Sequence, residues 1–326
     1  MSSALPGARS PAPVSIEIGL GLPQLGPHVT PAVVRRFCRR AEELGYASLW
    51  VQEHLFYPTA NTSGYAGRQS TSVHPHYKSM LGATELLGYV AACTERAMIG
   101  TSVFVAGYHR PVELAQRVAT LDVLSEGRMV CGIAAGWSDE EHVQMDVDPR
   151  TRGKRMDELV EALQACWADD PISYSGESFN IPEAIMRPKP VQRPHPPLLS
   201  GLRSAAGLRR TARYFDIWNP SRGTAEELRG HMADMAAQRP AGKAPLRLFF
   251  RSYTQRPTDP VGSGGQGLDG VIGDLHNAMA AGAEQLIVDT SFADNMDSAE
   301  AWEAVPDVLA PLLELARTSE PARAAL

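Results

Sequence analysis

Residues 96–137 constrain the possible fold more than any other part of the chain. They contain two short apolar runs, at residues 98–105 and 129–134. Between the runs, residues 109–124 carry apolar side chains at helical spacing. Because the two runs are apolar without alternation, they are typical of strands buried on both faces, which predicts a parallel βαβ unit with a right-handed crossover. In folds built from such units the chemistry collects where strands end, here in the loops that follow these two strands.

The pattern of a strand followed by a helix repeats along the chain. Further predicted strands lie at residues 16–22, 47–51, 198–201, 215–219, 246–253 and 285–288. Predicted helices lie at residues 31–44, 85–93, 152–167, 204–213, 225–238, 268–281 and 298–316. Eight such units predict an α/β fold, the (β/α)8 TIM barrel, with a small insertion at residues 172–181 and a long loop after the second strand, at residues 56–78. A doubly wound sheet is the competing layout, but no GxGxxG follows the first strand.

The length and composition favour one domain. A chain of 326 residues with 44% hydrophobic content is long enough to bury a large core, and α/β barrels of this size are commonly single domains. We therefore expect one domain over residues 15–318. Residues 1–14 are rich in Pro, Ser and Ala without an apolar run, which predicts a disordered tail and no signal peptide, and residues 319–326 form a short C-terminal tail.

Charge and cysteine usage narrow the class of partner. The net charge of −6 and the pI near 5.9 argue against a nucleic-acid partner. No apolar run reaches the roughly 18 residues that span a bilayer, so we expect a cytoplasmic protein with no membrane partner. Cys38, Cys93, Cys131 and Cys166 are widely spaced and form no CxxC pair, which favours reduced thiols. A small-molecule substrate is the expectation.

Polar residues stand at the ends of three otherwise apolar strands. They are Glu53 and His54 after the second strand, Thr101 and Ser102 at the third, and Gly136 and Trp137 after the fourth. Because the carboxyl ends of barrel strands meet at one mouth, we expect these groups to lie close together there.

Six segments, in the same order, resemble the bacterial luciferase-like oxidoreductase superfamily and, within it, the coenzyme F420-dependent branch. They are SLWVQEH (48–54), IGTSVFVAGYHRPVELAQRVATLDVLSEGR (99–128), GIAAGWSDEE (132–141), RGKRMDE (152–158), RPKPVQRPHPPLLSG (187–201) and ARYFDIW (212–218). The resemblance implies a TIM barrel that binds a flavin or deazaflavin in its mouth and forms a homodimer. It implies hydride transfer between F420 and a small organic substrate. The alternatives are an FMN-dependent two-component monooxygenase that uses oxygen and a catalytically silent flavin-binding protein. The partner that these systems imply is a flavin reductase or an F420-reducing enzyme.

The resemblance also assigns roles to residues. It implies that His54 handles a proton, with Glu53 as its orienting partner, because an imidazole titrates near neutrality. It implies that Ser102 and Val103 back the cofactor ring, often through a non-prolyl cis peptide, with an ordinary trans strand end as the alternative. Cofactor contacts are also expected from Thr101, Ala135, Gly136 and Trp137, and from Ser200 and Gly201 at the phosphate. Arg203, Arg209, Arg210 and Arg213 are candidates for a polyglutamate tail or for a solvated helix face.

Two features bear on the kind of substrate and on the question of a metal site. Trp137 occupies a position at which members of the family that oxidise sugar phosphates have Glu. An indole offers an apolar wall instead of a carboxylate, so the resemblance points away from a sugar-phosphate substrate. The sequence His74-Pro75-His76 invites a metal site, but no other His, Asp or Glu falls at ligand spacing near it. We therefore predict no metal, and expect a substrate-contacting role for this loop.

Overall fold

A computed structural model describes residues 15–59, 74–256, 259 and 263–318. The predicted tails at residues 1–14 and 319–326 lie outside the described residues. The same is true of residues 60–73, which form much of the predicted long loop.

Eight parallel strands close into a barrel. The strands of the described chain are β1 (Glu17–Gly21), β2 (Ser48–Val51), β3 (Met98–Thr101), β4 (Phe104–Val105), β5 (Met129–Ala134), β6 (Ile172–Ser175), β7 (Asn180–Ala184), β8 (Leu198–Ser200), β9 (Ile217–Trp218), β10 (Arg247–Tyr253) and β11 (Gln285–Asp289). Their order around the barrel is β1, β2, β3, β5, β8, β9, β10 and β11, and β11 pairs with β1 to close the ring. The predicted TIM barrel is confirmed.

Two departures from the barrel repeat are small. The predicted third strand is two pieces, because β3 ends at Thr101 and β4 resumes at Phe104, where it pairs with β5. The predicted insertion is the antiparallel hairpin of β6 and β7, which lies outside the barrel sheet and runs three residues further than the sequence pattern indicated.

The helices cover the outside of the barrel. They are α1 (Pro31–Leu44), α2 (Ala83–Cys93), α3 (Pro111–Leu124), α4 (Asp139–Gln144), α5 (Arg152–Trp167), α6 (Ala205–Tyr214), α7 (Ala225–Gln238), α8 (Gly267–Ala281), α9 (Ala299–Val308) and α10 (Pro311–Thr318). No helix in the described residues combines the length and the apolar character that a bilayer crossing requires.

Local chemistry explains where most helices begin and end. Thr30 caps α1 by accepting a hydrogen bond from the Val33 amide, and Gly45 ends it in the left-handed region at φ 95°. The helix predicted over residues 298–316 is instead two helices, because Pro311 lacks an amide hydrogen and disfavours helical backbone at the residue before it. The short α4 was not predicted.

The core has two layers. Six side chains from the strands fill the barrel interior, namely Trp50, Val130, Leu199, Ile217, Phe249 and Ile287. A larger apolar cluster lies between the strands and the surrounding helices. Because the interior is packed, space for a ligand remains at the mouth of the barrel. All four cysteines are free thiols, with Cys93 half-buried and the other three buried.

Gly132 gives a test of the strand spacing on the side of the barrel that carries β3 and β5. A Cβ atom at this position would lie 1.9 Å from the Thr101 carbonyl oxygen, so Gly132→Ala forces the two strands apart. We expect a loss of about 3 kcal/mol in the free energy of unfolding, measured by urea denaturation. The control is Gly230→Ala on an exposed turn of α7, where a Cβ meets nothing within 4 Å and where we expect a gain of about 0.5 to 1 kcal/mol. Equal urea midpoints for Gly132→Ala and the wild type would contradict this strand spacing.

Candidate active site

A cavity of about 420 Å³ opens at the carboxyl ends of the barrel strands. Its volume lies within the range of roughly 300 to 1,000 Å³ that is usual for sites binding small molecules and cofactors. Eight of the predicted site residues line it, namely Glu53, His54, Ser102, Val103, Ala135, Gly136, Trp137 and Gly201. The structure therefore brings these eight residues together at one cavity, and their roles stay predictions.

Two predicted cofactor contacts, Thr101 and Ser200, lie behind the cavity wall. Thr101 is fully buried, and its hydroxyl bonds the carbonyl and amide of Gly132 at 2.9 Å each. Ser200 is also buried, and its hydroxyl oxygen accepts hydrogen bonds from the Thr211 hydroxyl at 3.0 Å and the Leu202 amide at 3.2 Å. The polar groups of these two side chains are already used within the protein, where they support the wall. Cofactor contact at Thr101, and at Ser200 through the backbone, stays a prediction.

His54 is held at the rim of the cavity by a carboxylate from another loop. Its Nδ1 lies 2.9 Å from Oε2 of Glu141, and the two side chains are 11% and 1% exposed. The imidazole packs against Tyr77 and Trp137, with ring centroids 4.7 and 5.2 Å apart. The ring orientation is therefore fixed by packing on its faces and a hydrogen bond on one edge.

The Glu141 carboxylate gathers four hydrogen-bond donors. The Tyr108 hydroxyl and His54 share Oε2, while the amides of Leu55 and Phe56 donate to Oε1. Burial by itself raises the pKa of Glu141, but the bonds and charge from His54, Tyr108 and the Leu55 amide outweigh it, so the pKa lies below its usual range. Since an ionised carboxylate only accepts, Nδ1 of His54 carries the hydrogen and Nε2 is the nitrogen left for proton exchange.

Glu53 does not orient His54, so that prediction is wrong. Its carboxylate lies 3.0 Å from Nε2 of His109 and accepts a hydrogen bond of 2.7 Å from the Val105 amide. Successive residues in extended backbone point to opposite sides, which explains why neighbours in sequence have different partners. Glu53 still lines the cavity, where it holds the end of β4.

Sequence reasoning missed Glu141, although it lies within the motif GIAAGWSDEE. The residues from Ser138 to Glu141 have the S-x-x-E spacing of a helix start, and Ser138 caps α4 by accepting from the Glu141 amide at 3.3 Å. In a complete capping box the Glu side chain turns back to the cap, whereas here it turns to His54. Local sequence does not give this partner, because only the chain path brings Glu141 beside the loop after the second strand.

Ser102 and Val103 form the wall opposite Trp137 and are joined by a cis peptide bond, as the family resemblance implied. The Ser102 hydroxyl donates to Oδ1 of Asn219 at 2.8 Å, and its carbonyl accepts a bond of 2.8 Å from Arg251. The amide group of Asn219 donates in turn to the Phe249 carbonyl at 2.8 Å. The backbone at this wall is thus held from two further strands.

Arg251 is a second residue that the sequence analysis missed. It is 4% exposed, lines the cavity and forms a buried ion pair with Asp289 at the end of β11. Asp289 also accepts a hydrogen bond of 2.8 Å from the Ser291 amide. A signal was available in the sequence, because Arg251 is a charged residue that follows two Phe residues in β10. The other strand ends were found by the same sign, a polar residue in an otherwise apolar strand.

Three arginines, Arg203, Arg222 and Arg256, form a positive side of the cavity. Within residues 15–59, 74–256, 259 and 263–318, no carboxylate lies within the 4.0 Å of an ion pair with any of them. Burial and the nearby charges of the other two arginines lower the pKa of Arg203, with Glu227 opposing them. Uncompensated guanidinium groups in one place are the arrangement that binds phosphates and carboxylates.

The other arginines proposed for an anionic tail have different positions. Arg210 pairs with Asp157 at 2.6 Å, and Arg213 lies 3.5 Å from Glu161. Arg209 is exposed and does not line the cavity.

The side chains of the His74-Pro75-His76 sequence contact each other and the backbone near Ser291. The two imidazoles pack edge to face with centroids 4.6 Å apart, and Nδ1 of His76 contacts the Ser291 carbonyl at 2.6 Å. In the part of the chain that the structure describes, no group of three or more His, Cys, Asp or Glu is arranged to hold a metal ion.

Comparison with known proteins identifies the family. The luciferase-like monooxygenase family model matches residues 13–255. Because the match covers well over half of the 326 residues, the chain belongs to this family, as its sequence segments predicted. It is a luciferase-like oxidoreductase.

Curated relatives divide between two cofactors. An uncharacterised protein of Mycobacterium tuberculosis is 33% identical over 204 residues, which cover 59% of this chain and 71% of that protein. An FMNH2-dependent dimethylsulfone monooxygenase of Pseudomonas putida is 26% identical, over 67% of this chain and 56% of the relative. An F420-dependent glucose-6-phosphate dehydrogenase of Kineococcus radiotolerans is 30% identical, over 53% of this chain and 48% of the relative.

Solved structures share the fold. The monooxygenase RslO1 from Streptomyces bottropensis matches with a TM-score of 0.70 at 20% identity, covering 92% of this chain and 99% of that one. An F420-dependent secondary alcohol dehydrogenase in complex with an F420-acetone adduct matches with a TM-score of 0.66 at 17% identity, over 91% of this chain and 99% of that one. At these identities the likeness shows the TIM-barrel fold alone.

The charge on Glu141 predicts how stability depends on pH. Glu141→Gln keeps the side-chain shape but removes the charge, and we expect a loss of about 2 kcal/mol in unfolding free energy at pH 7. Because the folded pKa is lowered, this contribution is complete above the ordinary carboxyl pKa of about 4.3 and is lost as the pH falls through the lower folded value. Urea denaturation should therefore show a constant difference between about pH 5 and 7 that shrinks below about pH 4.

The matched control is Glu183→Gln on the exposed part of β7, which we expect to change the unfolding free energy by less than about 0.5 kcal/mol. A Glu141→Gln difference that grows between pH 7 and 4 would assign the stabilisation to the protonated acid and contradict the ionised carboxylate.

Proposed function

We propose that the protein transfers a hydride between coenzyme F420 and a small organic substrate, with His54 as the proton donor or acceptor. The observation that carries the choice of cofactor is the cluster of Arg203, Arg222 and Arg256, which form no ion pair with any carboxylate of the described residues. F420 carries a phosphodiester and a polyglutamate tail, and therefore more negative charge than FMN. The guanidinium groups of Arg203 and Arg256 each donate to a backbone carbonyl, which orients them without neutralising their charge. Three such charges match F420 better than they match a single phosphate.

The cavity fits such a cofactor in its chemistry as well as its charge. Val103, Ala135 and Gly136 offer small or apolar surface for a flat ring, and Gly201 stands at the end of β8 on the arginine side. Gly136 is at φ 81°, and a Cβ there would lie 2.5 Å from Val105 and 2.7 Å from His142, so the wall requires glycine at this point. When bound, the deazaflavin would supply or accept the hydride, and the chain would supply orientation, exclusion of water and the proton.

His54 is assigned the proton step. In substrate reduction the substrate carbon gains a hydride while Nε2 of His54 gives a proton to the adjacent heteroatom, so the substrate gains two electrons and two hydrogens. The ionised Glu141 accepts from Nδ1 and leaves Nε2 for the substrate, and Tyr77 and Trp137 keep the ring in place. In oxidation the same atoms act in reverse.

An FMN-dependent monooxygenase is the second candidate, supported by the relative that uses FMNH2. A deazaflavin lacks the ring nitrogen at position 5, so the identity of the cofactor decides between hydride transfer and oxygen use. In the FMN case a separate flavin reductase would be the partner, since the relative from Acinetobacter baylyi is described as an oxygenase component. A homodimer of the single domain, residues 15–318, is proposed on the family resemblance.

Cofactor titration tests the proposal. We expect micromolar binding of F420 and no saturable binding of FMN, followed by absorbance and fluorescence of each cofactor. The double variant Arg222→Gln/Arg256→Gln should weaken F420 binding about tenfold or more and reduce its salt dependence, because charge-assisted hydrogen bonds are lost. The control Arg209→Gln removes an exposed arginine of α6 that does not line the cavity and should leave the affinity unchanged.

Micromolar FMN binding with none for F420 would replace the proposal by the monooxygenase. F420 binding that is insensitive to the arginine double variant would show that the positive cluster does not hold the cofactor.

A further inference from the structure

A second cavity, of about 600 Å³, adjoins the first at His54. We call it the Lys78 chamber, after the lysine at its wall. His54 and Tyr77 line both cavities, so the imidazole stands at the boundary between them. A group bound in the Lys78 chamber therefore lies next to the residue that exchanges the proton.

The wall of the Lys78 chamber is mainly apolar and aromatic. Leu55, Phe56, Tyr57, Tyr77 and Met80 line it. Leu55 is 47% exposed and Phe56 is 39% exposed, although both side chains follow directly after His54. Large apolar side chains exposed side by side at a concave surface mark a ligand site, because water is displaced from them when an apolar group binds.

Among the described residues of its wall, the chamber contains one lysine without an ion-pair partner. Lys78 lies at the end of a short 3₁₀ helix, Pro75–Lys78, and its Nζ is 5.4 Å from the centroid of the Tyr57 ring. No Asp or Glu lines this chamber, and no described carboxylate forms an ion pair with Lys78. The tyrosine face supports the ammonium group without neutralising it, so the charge is available to an anionic ligand.

The backbone that carries these side chains is held in place. The Leu55 and Phe56 amides donate to Oε1 of Glu141, the same carboxylate that binds His54. On the opposite wall, Met80 pairs with Leu25 in an isolated antiparallel bridge. One buried carboxylate thus sets both the proton-exchanging ring and the adjacent apolar wall, which pre-organises the chamber for its ligand.

We propose that the Lys78 chamber binds the substrate and that the substrate has a flat aromatic or alicyclic body bearing a carboxylate. This inference rests on the proposed function for its chemistry, because His54 protonates or deprotonates a group that only the proposed reaction uses. The apolar wall takes the ring system, and Lys78 takes the carboxylate at the rim. The arginine side of the first cavity remains for the cofactor.

Calorimetric titration of the full chain with two aromatic probes of equal shape tests the proposal. The probes are 2-naphthoate, which carries a carboxylate, and 2-naphthamide, which is neutral. We expect the wild type to bind 2-naphthoate about tenfold more tightly, since an ionic hydrogen bond to Lys78 is made only by the anion. Lys78→Met should reduce this preference to less than about threefold, and Phe56→Ser should weaken both probes by a similar factor.

Two controls locate the probe. Lys154→Met removes an exposed lysine that pairs with Glu177 and lines neither cavity, and it should leave the preference unchanged. Arg222→Gln tests the first cavity, and it should also leave the preference unchanged. A preference that survives Lys78→Met, one that disappears in Arg222→Gln, or a wild type that binds neither probe would overturn the proposal.

The same protein samples are titrated separately with F420 and FMN. Probe preference that depends on Lys78, without binding of either cofactor, would refute the proposed function while supporting the chamber. Cofactor binding without a probe preference would refute the Lys78 chamber as a substrate site while supporting the proposed function.

Discussion

The buried carboxylate of Glu141 is the contact on which the mouth of the barrel depends. It joins α4, which follows β5, to the loop that follows β2, and it does so with four donors on two oxygens. Removing one partner from a buried charge costs roughly 3 to 5 kcal/mol, so the arrangement is rigid as long as all the partners are present. The orientation of His54 and the path of the backbone at Leu55 and Phe56 are both consequences of this single group.

The opposite wall is organised by a second buried charge. Arg251 pairs with Asp289 and donates to the Ser102 carbonyl, which ties β10 and β11 to the end of β3. Between these two walls the charges are unevenly distributed, with uncompensated arginines at one side and the imidazole at the other. Under the proposed function, the arginine side holds the large anion and the His54 side, next to the Lys78 chamber, holds the reacting group.

Much of this organisation follows from local sequence, and the rest does not. The strand and helix order, the Thr30 cap and the Gly45 end of α1 depend on a few neighbouring residues, and the sequence predicted them. Placing His54 and Ser102 at one mouth needed only the rule that parallel strand ends meet. The hydrogen-bond partners of these side chains were harder to predict, because Glu141 lies 87 residues from His54 and Glu53 lies 56 residues from His109. The break between α9 and α10 was missed because the helical pattern of apolar side chains continues through Pro311. The helical backbone does not continue there, because proline lacks the amide hydrogen that a helix interior needs.

The tautomer of His54 tests the central claim most directly. In a sample with ¹⁵N-labelled histidine, assigned by comparison with His54→Gln, we expect the neutral ring of His54 to carry its hydrogen on Nδ1, with Nε2 unprotonated and shifting when cofactor or probe is added. Glu141→Gln should weaken the preference for this tautomer. A ring protonated on Nε2, or an Nε2 signal that does not respond to any ligand of the mouth, would contradict the account.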